Sequence, residues 1–354
     1  MSAGVRRPDS GTGRMVLDMR DRRPLWSVPD WAVKEIRGAL SPGWELTVVE
    51  TPGDGSGDGA GGPSAEAIRA AEGARIYAGF GIPPQIFRAA GQGLDWVHTG
   101  TAGVGTSLSP ELRSSGAVFT NSAGVYGPPM AESIVGMILH FARGFDWALA
   151  AQSRGAWDPE PFRRPDSAVR EVARSTVGIV GFGGIGREVH RRVRPLGARV
   201  LALRRRPSEP PDTGTEILTG PEGFQRLLAE SDYLVLTAPA TAETRSLVDA
   251  RALERMKPGA VLVNVARGSL VDQEALAEAL RVGRLRGAGL DVFQTEPLPE
   301  GEPLWDLENV LITPHVSGTS SDFWWRQTDL IVENLNRWFS GRPLRNQVNL
   351  DAGY

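Results

Sequence analysis

Short apolar runs recur along the chain, with polar turns and helical-period stretches between them. MVLDMR (15–20), WELTVVE (44–50), RIYAGF (75–80), LDWVHT (94–99) and AVFTN (117–121) make a first set. VGIVGFG (177–183), RVLALR (199–204), YLVLTA (233–238), AVLVNVA (260–266), GAGLDVF (287–293) and VLITPH (310–315) make a second. Several are apolar at almost every position. A strand with one wet face alternates apolar with polar residues, whereas an unbroken run is expected of a parallel strand covered on both faces. Strands alternating with helical segments predict an α/β fold.

Between the two sets lies PPMAESIVGMILHFARGFDWALAAQ (128–152). Prolines open it, and Ile134, Met137, Ile138, Phe141 and Phe145 recur at helical spacing, which predicts one long connecting helix. A last helix is expected in SSDFWWRQTDLIVENLNRWFSGRPL, capped by serine or Asp322 and stopped at Gly341-Arg342-Pro343. GDGSGDGAGGP (53–63) reads as a flexible loop, and MSAGVRRPDSGTGR (1–14) as a disordered tail.

The length, 354 residues, suggests two domains. A net charge of −3 gives no sign of a nucleic-acid or membrane partner, and no apolar run approaches the ~20 residues of a membrane span. The absence of cysteine excludes disulfides, thiolate nucleophiles and cysteine-ligated metals. It fits a reducing compartment. The amino-terminal arginines are not followed by an apolar segment, so no secretory signal is expected there and the protein is expected in the cytoplasm.

The first chemistry lies at the end of VGIVGFGGIG. Gly181, Gly183 and Gly186 form G-x-G-x-x-G, with an apolar strand before it and REVHRRVRPLG after it. Gly181 permits the tight turn, Gly183 lets the backbone approach a pyrophosphate, and Gly186 lets the helix pack on the strand. The phosphates would sit on free N–H groups at the positive end of the helix. About twenty residues on, an acidic residue usually ends the second strand and binds the ribose hydroxyls of NAD. Here that place is Arg204, followed by Arg205 and Arg206. A guanidinium can hold a 2′-phosphate bidentately, a contact worth about 1.5–3 kcal/mol. NADP(H) is therefore the preferred cofactor, with NAD(H) usable if the arginines form only a solvated loop.

A dinucleotide fold does not name a reaction. Three further polar residues follow apolar strands, where open α/β sheets bind ligands: Arg267 after AVLVNVA, Glu296 after GAGLDVFQT, and His315 at the end of VLITPH. They are either three unrelated loop residues or a set. As a set they suit reduction of a 2-keto acid. Arginine can hold the carboxylate and polarise the carbonyl, histidine can protonate the developing alkoxide, and glutamate can orient the ring and stabilise the imidazolium. Among the other histidines, His98 ends a strand and could lie near a cleft, His140 is inside the connecting helix, and His190 stands among arginines as a solvated residue.

From about Leu94 onward the chain resembles the D-isomer-specific 2-hydroxyacid dehydrogenases, the family of phosphoglycerate, glyoxylate and hydroxypyruvate reductases. The resemblance is carried by VGIVGFGGIG, TAPATAETRSLV, VNVARGSLVD, GAGLDVFQTEPLP and ITPHVSG, in that order. It implies Arg267 on the substrate carboxylate and carbonyl, His315 as acid–base, and Glu296 as its partner. It also implies Asp291 on the nicotinamide amide, Gly184 and Ile185 at the pyrophosphate, and Ala238 and Ala266 lining the cofactor. Thr101, Ala102, Gly103 and Val104 match the family's backbone cradle for the substrate carboxylate. Glu296 argues against the formate dehydrogenase branch, which carries glutamine there. Three features depart from the family pattern: Arg204 in place of an acid, Gly105 where many relatives carry aspartate, and EVARST without the usual glycine–lysine pair.

The resemblance further implies two Rossmann-like, doubly wound parallel-sheet domains with a cleft between them. The substrate-binding domain would be discontinuous, residues 1–123 plus 322–354, and the dinucleotide-binding domain would span 124–321. A homodimer is expected through the latter and the 128–152 helix, which is more apolar than one buried face requires. The expected activity is NAD(P)H-dependent reduction of a small 2-keto acid to the D-2-hydroxy acid. The alternative is a non-catalytic NAD(P)-sensing module, as in corepressors of the same fold.

Overall fold

The computed structural model describes residues 11–54, 61–207, 209–212 and 214–351. The chain divides into two compact units, one formed by Met1–Tyr126 with Ser320–Tyr354 and the other by Gly127–Thr319. Of the amino-terminal tail, residues 1–10 lie outside the described residues, as do residues 55–60 of the glycine-rich loop. Gly13 and Arg14, expected in that tail, already belong to the first strand.

The first unit holds five parallel strands: β1 (Gly13–Asp18), β2 (Trp44–Val48), β3 (Ile76–Gly79), β4 (Trp96–Thr99) and β5 (Val118–Thr120). Their order is β2-β1-β3-β4-β5. One face packs Met15, Leu17, Ile76 and Trp96 against the helix Phe323–Phe339, and the other packs Val16, Tyr77 and Val97 under Ile86 and Leu112. Asp322 precedes the last helix but its side chain makes no cap hydrogen bond, which corrects the expected aspartate cap. The stop is as expected, with Gly341 at φ +67°.

The second unit holds seven parallel strands: β6 (Thr176–Val180), β7 (Arg199–Leu203), β8 (Thr215–Leu218), β9 (Tyr233–Leu236), β10 (Val261–Asn264), β11 (Gly287–Leu290) and β12 (Val310–Ile312). They run β12-β11-β10-β9-β6-β7-β8, so the winding reverses between β6 and β9. Both faces are covered, one by the Leu234, Leu262 and Leu290 side and the other by the Val177, Val235 and Val263 side. Each unit is thus a doubly wound α/β domain. In such sheets ligands bind beyond the carboxyl ends of the strands, where the order reverses.

The expected long helix over 128–152 is two helices, Gly127–Ala142 and Phe145–Ser153, bent by 73°. Gly144 sits at φ +67°, and a Cβ there would lie 2.9 Å from the Trp147 ring. The first turn of the second helix is held by a buried ion pair, Asp146–Arg286 at 2.7 Å, with the Arg286 guanidinium 4.2 Å from the Trp147 ring centroid. Apolar spacing continues through the break, whereas the left-handed glycine ends the first helix.

Candidate active site

The glycine turn leaves β6 at the point of reversal. The Gly181 N–H donates to Leu203 O at 2.9 Å, and the Thr237 hydroxyl donates to Gly181 O at 2.6 Å. Gly181 has φ +95°, and a Cβ on it would lie 2.7 Å from Ala238 N. A Cβ on Gly186 would lie 2.3 Å from Gly181 O. These two glycines are required by packing. Gly183 differs, since a Cβ there would meet nothing within 4 Å. The open space lies at the amino end of the helix Gly184–Val193, whose N-cap is Gly183 and carries no side-chain acceptor. Its first N–H groups, at Gly184 and Ile185, suit an anion. The residues present therefore fit the pyrophosphate of a dinucleotide.

Arg204 follows β7 directly, half-buried, and its N–H donates to Leu218 O at 3.0 Å. That acceptor belongs to β8, a strand absent from the sequence expectations, which extends the ladder one residue past β7. Among the described residues no carboxylate lies within ion-pair distance of the Arg204 guanidinium, whereas Arg194, Arg199 and Arg226 are all paired. Arg205 and Arg206 are exposed.

Asn264, Leu290 and Ile312 are in register across β10, β11 and β12. Arg267, Glu296 and His315 lie three, six and three residues beyond them, on one edge of the sheet. His315 and Glu296 are in contact, with Nδ1 2.7 Å from Oε2. Glu296 Oε1 accepts the Phe293 N–H at 2.9 Å. An ionised carboxylate only accepts, so Nδ1 carries the proton, and the ring is half-exposed (50%), with no hydrogen bond to Nε2 among the described residues.

Arg267 is exposed; its Nη1 donates to Ala266 O at 2.7 Å, and no hydrogen bond links it to His315 or Glu296 among the described residues. Its turn is fixed by Asn264, buried to 1% exposure, which donates to Arg267 O at 3.0 Å and accepts from Ala266 N at 3.1 Å. A Cβ on Gly268 would lie 1.9 Å from Phe293 C, so glycine lets this turn pack directly on the stretch leading to Glu296. Ala238 and Ala266 are buried small residues at the ends of β9 and β10. Asp291 is fully buried under the His315 turn. Asn264 and Thr237 were missed from sequence; an asparagine closing an apolar strand is the one signal that could have found the first.

Ala102, Gly103 and Val104 belong to the first unit, in a loop after β4. It is held by Asn121, which donates to Ala102 O at 2.7 Å, by the Ser122 N–H on Thr101 O, and by the Thr101 hydroxyl on Gly103 O. His98 is not in a cleft. It is fully buried between Thr120 (2.9 Å) and Gln327 (2.9 Å), and burial pushes its imidazole down to about 3. His190 is not solvated either. Its Nε2 lies 2.8 Å from Thr215 Oγ1 and 3.1 Å from Asp212, with the side chain 12% exposed.

The model of the D-isomer specific 2-hydroxyacid dehydrogenase NAD-binding domain matches residues 135–317. A glyoxylate reductase of Korarchaeum cryptofilum is 37% identical over 249 residues, covering 68% of this chain and 72% of that protein. A D-isomer specific 2-hydroxyacid dehydrogenase of Xanthobacter autotrophicus Py2, solved with NADPH and MES, superposes with a TM-score of 0.77 at 29% identity, covering 98% of this chain and 100% of the other. An NADPH-dependent glyoxylate/hydroxypyruvate reductase of Sinorhizobium meliloti, solved with NADP and sulfate, gives 0.74 at 25% identity over 97% and 100%. With the glycine turn and the Glu296–His315 pair, these likenesses define an NAD(P)-dependent oxidoreductase acting on CH–OH groups. The chain belongs to the D-isomer specific 2-hydroxyacid dehydrogenases.

Proposed function

We propose that the protein reduces a small 2-keto acid of the glyoxylate or hydroxypyruvate type to the D-2-hydroxy acid, with NADP(H) preferred over NAD(H). The observation that carries the reading is the Glu296–His315 contact at 2.7 Å, which fixes one ring nitrogen and leaves the other for proton delivery. A bound dihydronicotinamide supplies the hydride. Arg267 holds the substrate carboxylate and polarises the keto oxygen. His315 Nε2 gives its proton to the oxygen as charge develops there, and the Glu296 carboxylate stabilises the imidazolium through Nδ1.

The diphosphate rests on Gly183, Gly184 and Ile185, and Ala238 and Ala266 leave room for the nucleotide. Arg204, with help from Arg205, holds the 2′-phosphate. That Arg204, directly after β7, pairs with no carboxylate among the described residues supports this assignment, as do the NADPH- and NADP-bound relatives. A homodimer belongs to the same proposal, supported by Phe145 and Leu149, which are 52% and 55% exposed on the second of the two bent helices.

The test is absorbance of the reduced nicotinamide on mixing the protein with NADPH or NADH and glyoxylate, hydroxypyruvate and pyruvate in turn. Turnover with NADPH is expected. No turnover with any keto acid would favour an NAD(P)-sensing role instead.

A further inference from the structure

We propose that Gln273 is a positioning residue that acts through Glu296, its side-chain amide closing the loop that carries this carboxylate to His315. This rests on the reading of the Glu296–His315 contact as the proton-transfer site. Gln273 Oε1 accepts the Gln294 N–H at 3.2 Å, and its Nε2 donates to Glu302 Oε1 at 2.9 Å. Gln294 lies two residues before Glu296, and Glu302 six residues after it. One amide thus joins both flanks of the loop. Gln294 adds a second tie, its Nε2 donating to Val271 O at 3.0 Å. Val271 and Gln273 follow the turn of Arg267, so these bonds link the segment after the arginine to the loop of the glutamate.

The loop needs such a closure. Among the described residues, no backbone group from Phe293 to Leu298 hydrogen-bonds to another backbone group. Its place is set by packing and by side chains: Gly268 against Phe293, Glu296 on the Phe293 N–H, and Gln273 on its two flanks. Gln273 is itself firmly placed. It opens the helix Gln273–Arg281, whose cap Asp272 accepts the Ala275 N–H at 3.1 Å and whose Leu276 and Leu280 are buried. Its amide matches both partners. The Gln294 N–H needs an acceptor and the Glu302 carboxylate needs a donor, and glutamine offers one of each. Gln273→Glu would keep the first bond and set two carboxylates against each other at the second. Adding Glu302→Gln reverses the second bond and restores it. With the closure lost, the loop samples positions in which Oε2 is off Nδ1, and misplaced groups cost turnover.

Full-length variants test the assignment: Gln273→Ala, Glu296→Gln, the two combined, Gln273→Glu, and Gln273→Glu with Glu302→Gln. NADPH affinity is read from nicotinamide fluorescence. The kcat and KM are read with saturating NADPH and the keto acid turned over fastest among glyoxylate, hydroxypyruvate and pyruvate. Gln273→Ala should lower kcat about fivefold, the scale of one ordinary hydrogen bond, with NADPH affinity and the substrate KM within about twofold. In the Glu296→Gln background the same change should cost less than about twofold, since the carboxylate it places is gone. Gln273→Glu should lower kcat at least as far, and adding Glu302→Gln should restore it. If the alanine variant does not fold, the exchanged pair decides. Equal losses in both backgrounds would make Gln273 a structural residue and overturn the proposal, as would failure of the exchange to restore kcat, or weakened NADPH binding with kcat retained. Full kcat in Gln273→Ala or Gln273→Glu, with kcat lost in Glu296→Gln, would overturn it alone. Full kcat in Glu296→Gln, or no turnover of any keto acid by the unaltered protein, would overturn the reading of the Glu296–His315 contact and this proposal with it.

Discussion

Glu296 joins two donors at once: Oε2 lies 2.7 Å from His315 Nδ1, and Oε1 accepts the Phe293 N–H at 2.9 Å. The carboxylate is therefore fixed from its own loop and in turn fixes the imidazole. Glutamine offers only one acceptor oxygen. Glu296→Gln must leave either His315 or Phe293 facing an amide NH₂. We expect kcat to fall about ten- to hundredfold, the scale of a lost charged hydrogen bond, with NADPH affinity retained. Steady-state kinetics with a parallel fluorescence titration would check this. Wild-type kcat in the variant would mean the contact has no catalytic role.

His315→Gln should remove about 10²–10⁴ of the reduction rate, the usual worth of a general acid. NADPH binding should survive, since the proposed phosphate contacts, Gly183 to Ile185, lie on another part of the sheet. Single-turnover measurements at saturating NADPH separate the two quantities. Turnover within a few-fold of wild type would assign proton delivery to another group.

Arg204→Asp should invert the cofactor preference. The substitution removes an attraction for the 2′-phosphate, adds a repulsion, and offers NADH a ribose acceptor. We expect kcat/KM for NADPH to fall tenfold or more, the scale of one charged hydrogen bond, while NADH holds or gains. The NADPH term should also weaken with salt, because the side chain is only half-buried. Equal changes for both cofactors would reduce the arginine run to a solvated loop.

Stability of the first unit should depend on pH through His98. Burial holds this imidazole down to about 3, against 6.5 in the unfolded chain. Between those values the unfolded chain binds the extra proton, so the contribution is complete above pH 6.5 and is lost as pH falls towards 3. From pH 6.5 to 5 the loss is about 2 kcal/mol, at 1.36 kcal/mol per unit. Denaturant midpoints across that range should show it, and the slope should flatten in His98→Gln. An equal slope in the variant would place the acid sensitivity elsewhere.

Eleven of the twelve described strands were legible, most of them because both faces of the sheet are covered, which makes their runs apolar at almost every position. The twelfth, β8, reads Thr-Glu-Ile-Leu at the sheet's edge and pairs only with β7, so its polar positions hide it. The bend at Gly144 escaped because apolar spacing runs through it, and its lock, Asp146–Arg286, joins residues 140 positions apart. His98 was misjudged for the same reason: Gln327, which covers it, lies 229 residues away. Arg267, Glu296 and His315 were singled out from their places after apolar strands, and two of them, Glu296 and His315, are in contact. Asn264, which holds the Arg267 turn, was not, because a buried polar residue inside an apolar run carries no local mark of what it holds.

The order of the seven-stranded sheet sets Arg204, after β7, apart from Glu296 and His315, after β11 and β12, with β6, β9 and β10 in between. Four strand spacings of about 4.8 Å place β7 roughly 19 Å from β11. No hydrogen bond or ion pair joins Arg204 to either residue among the described residues. Substitutions that far apart, with no shared partner, combine additively in free energy. On the proposed reading of Arg204, a change at one strand end would alter the choice between the two nicotinamide cofactors and leave the Glu296–His315 contact as it is.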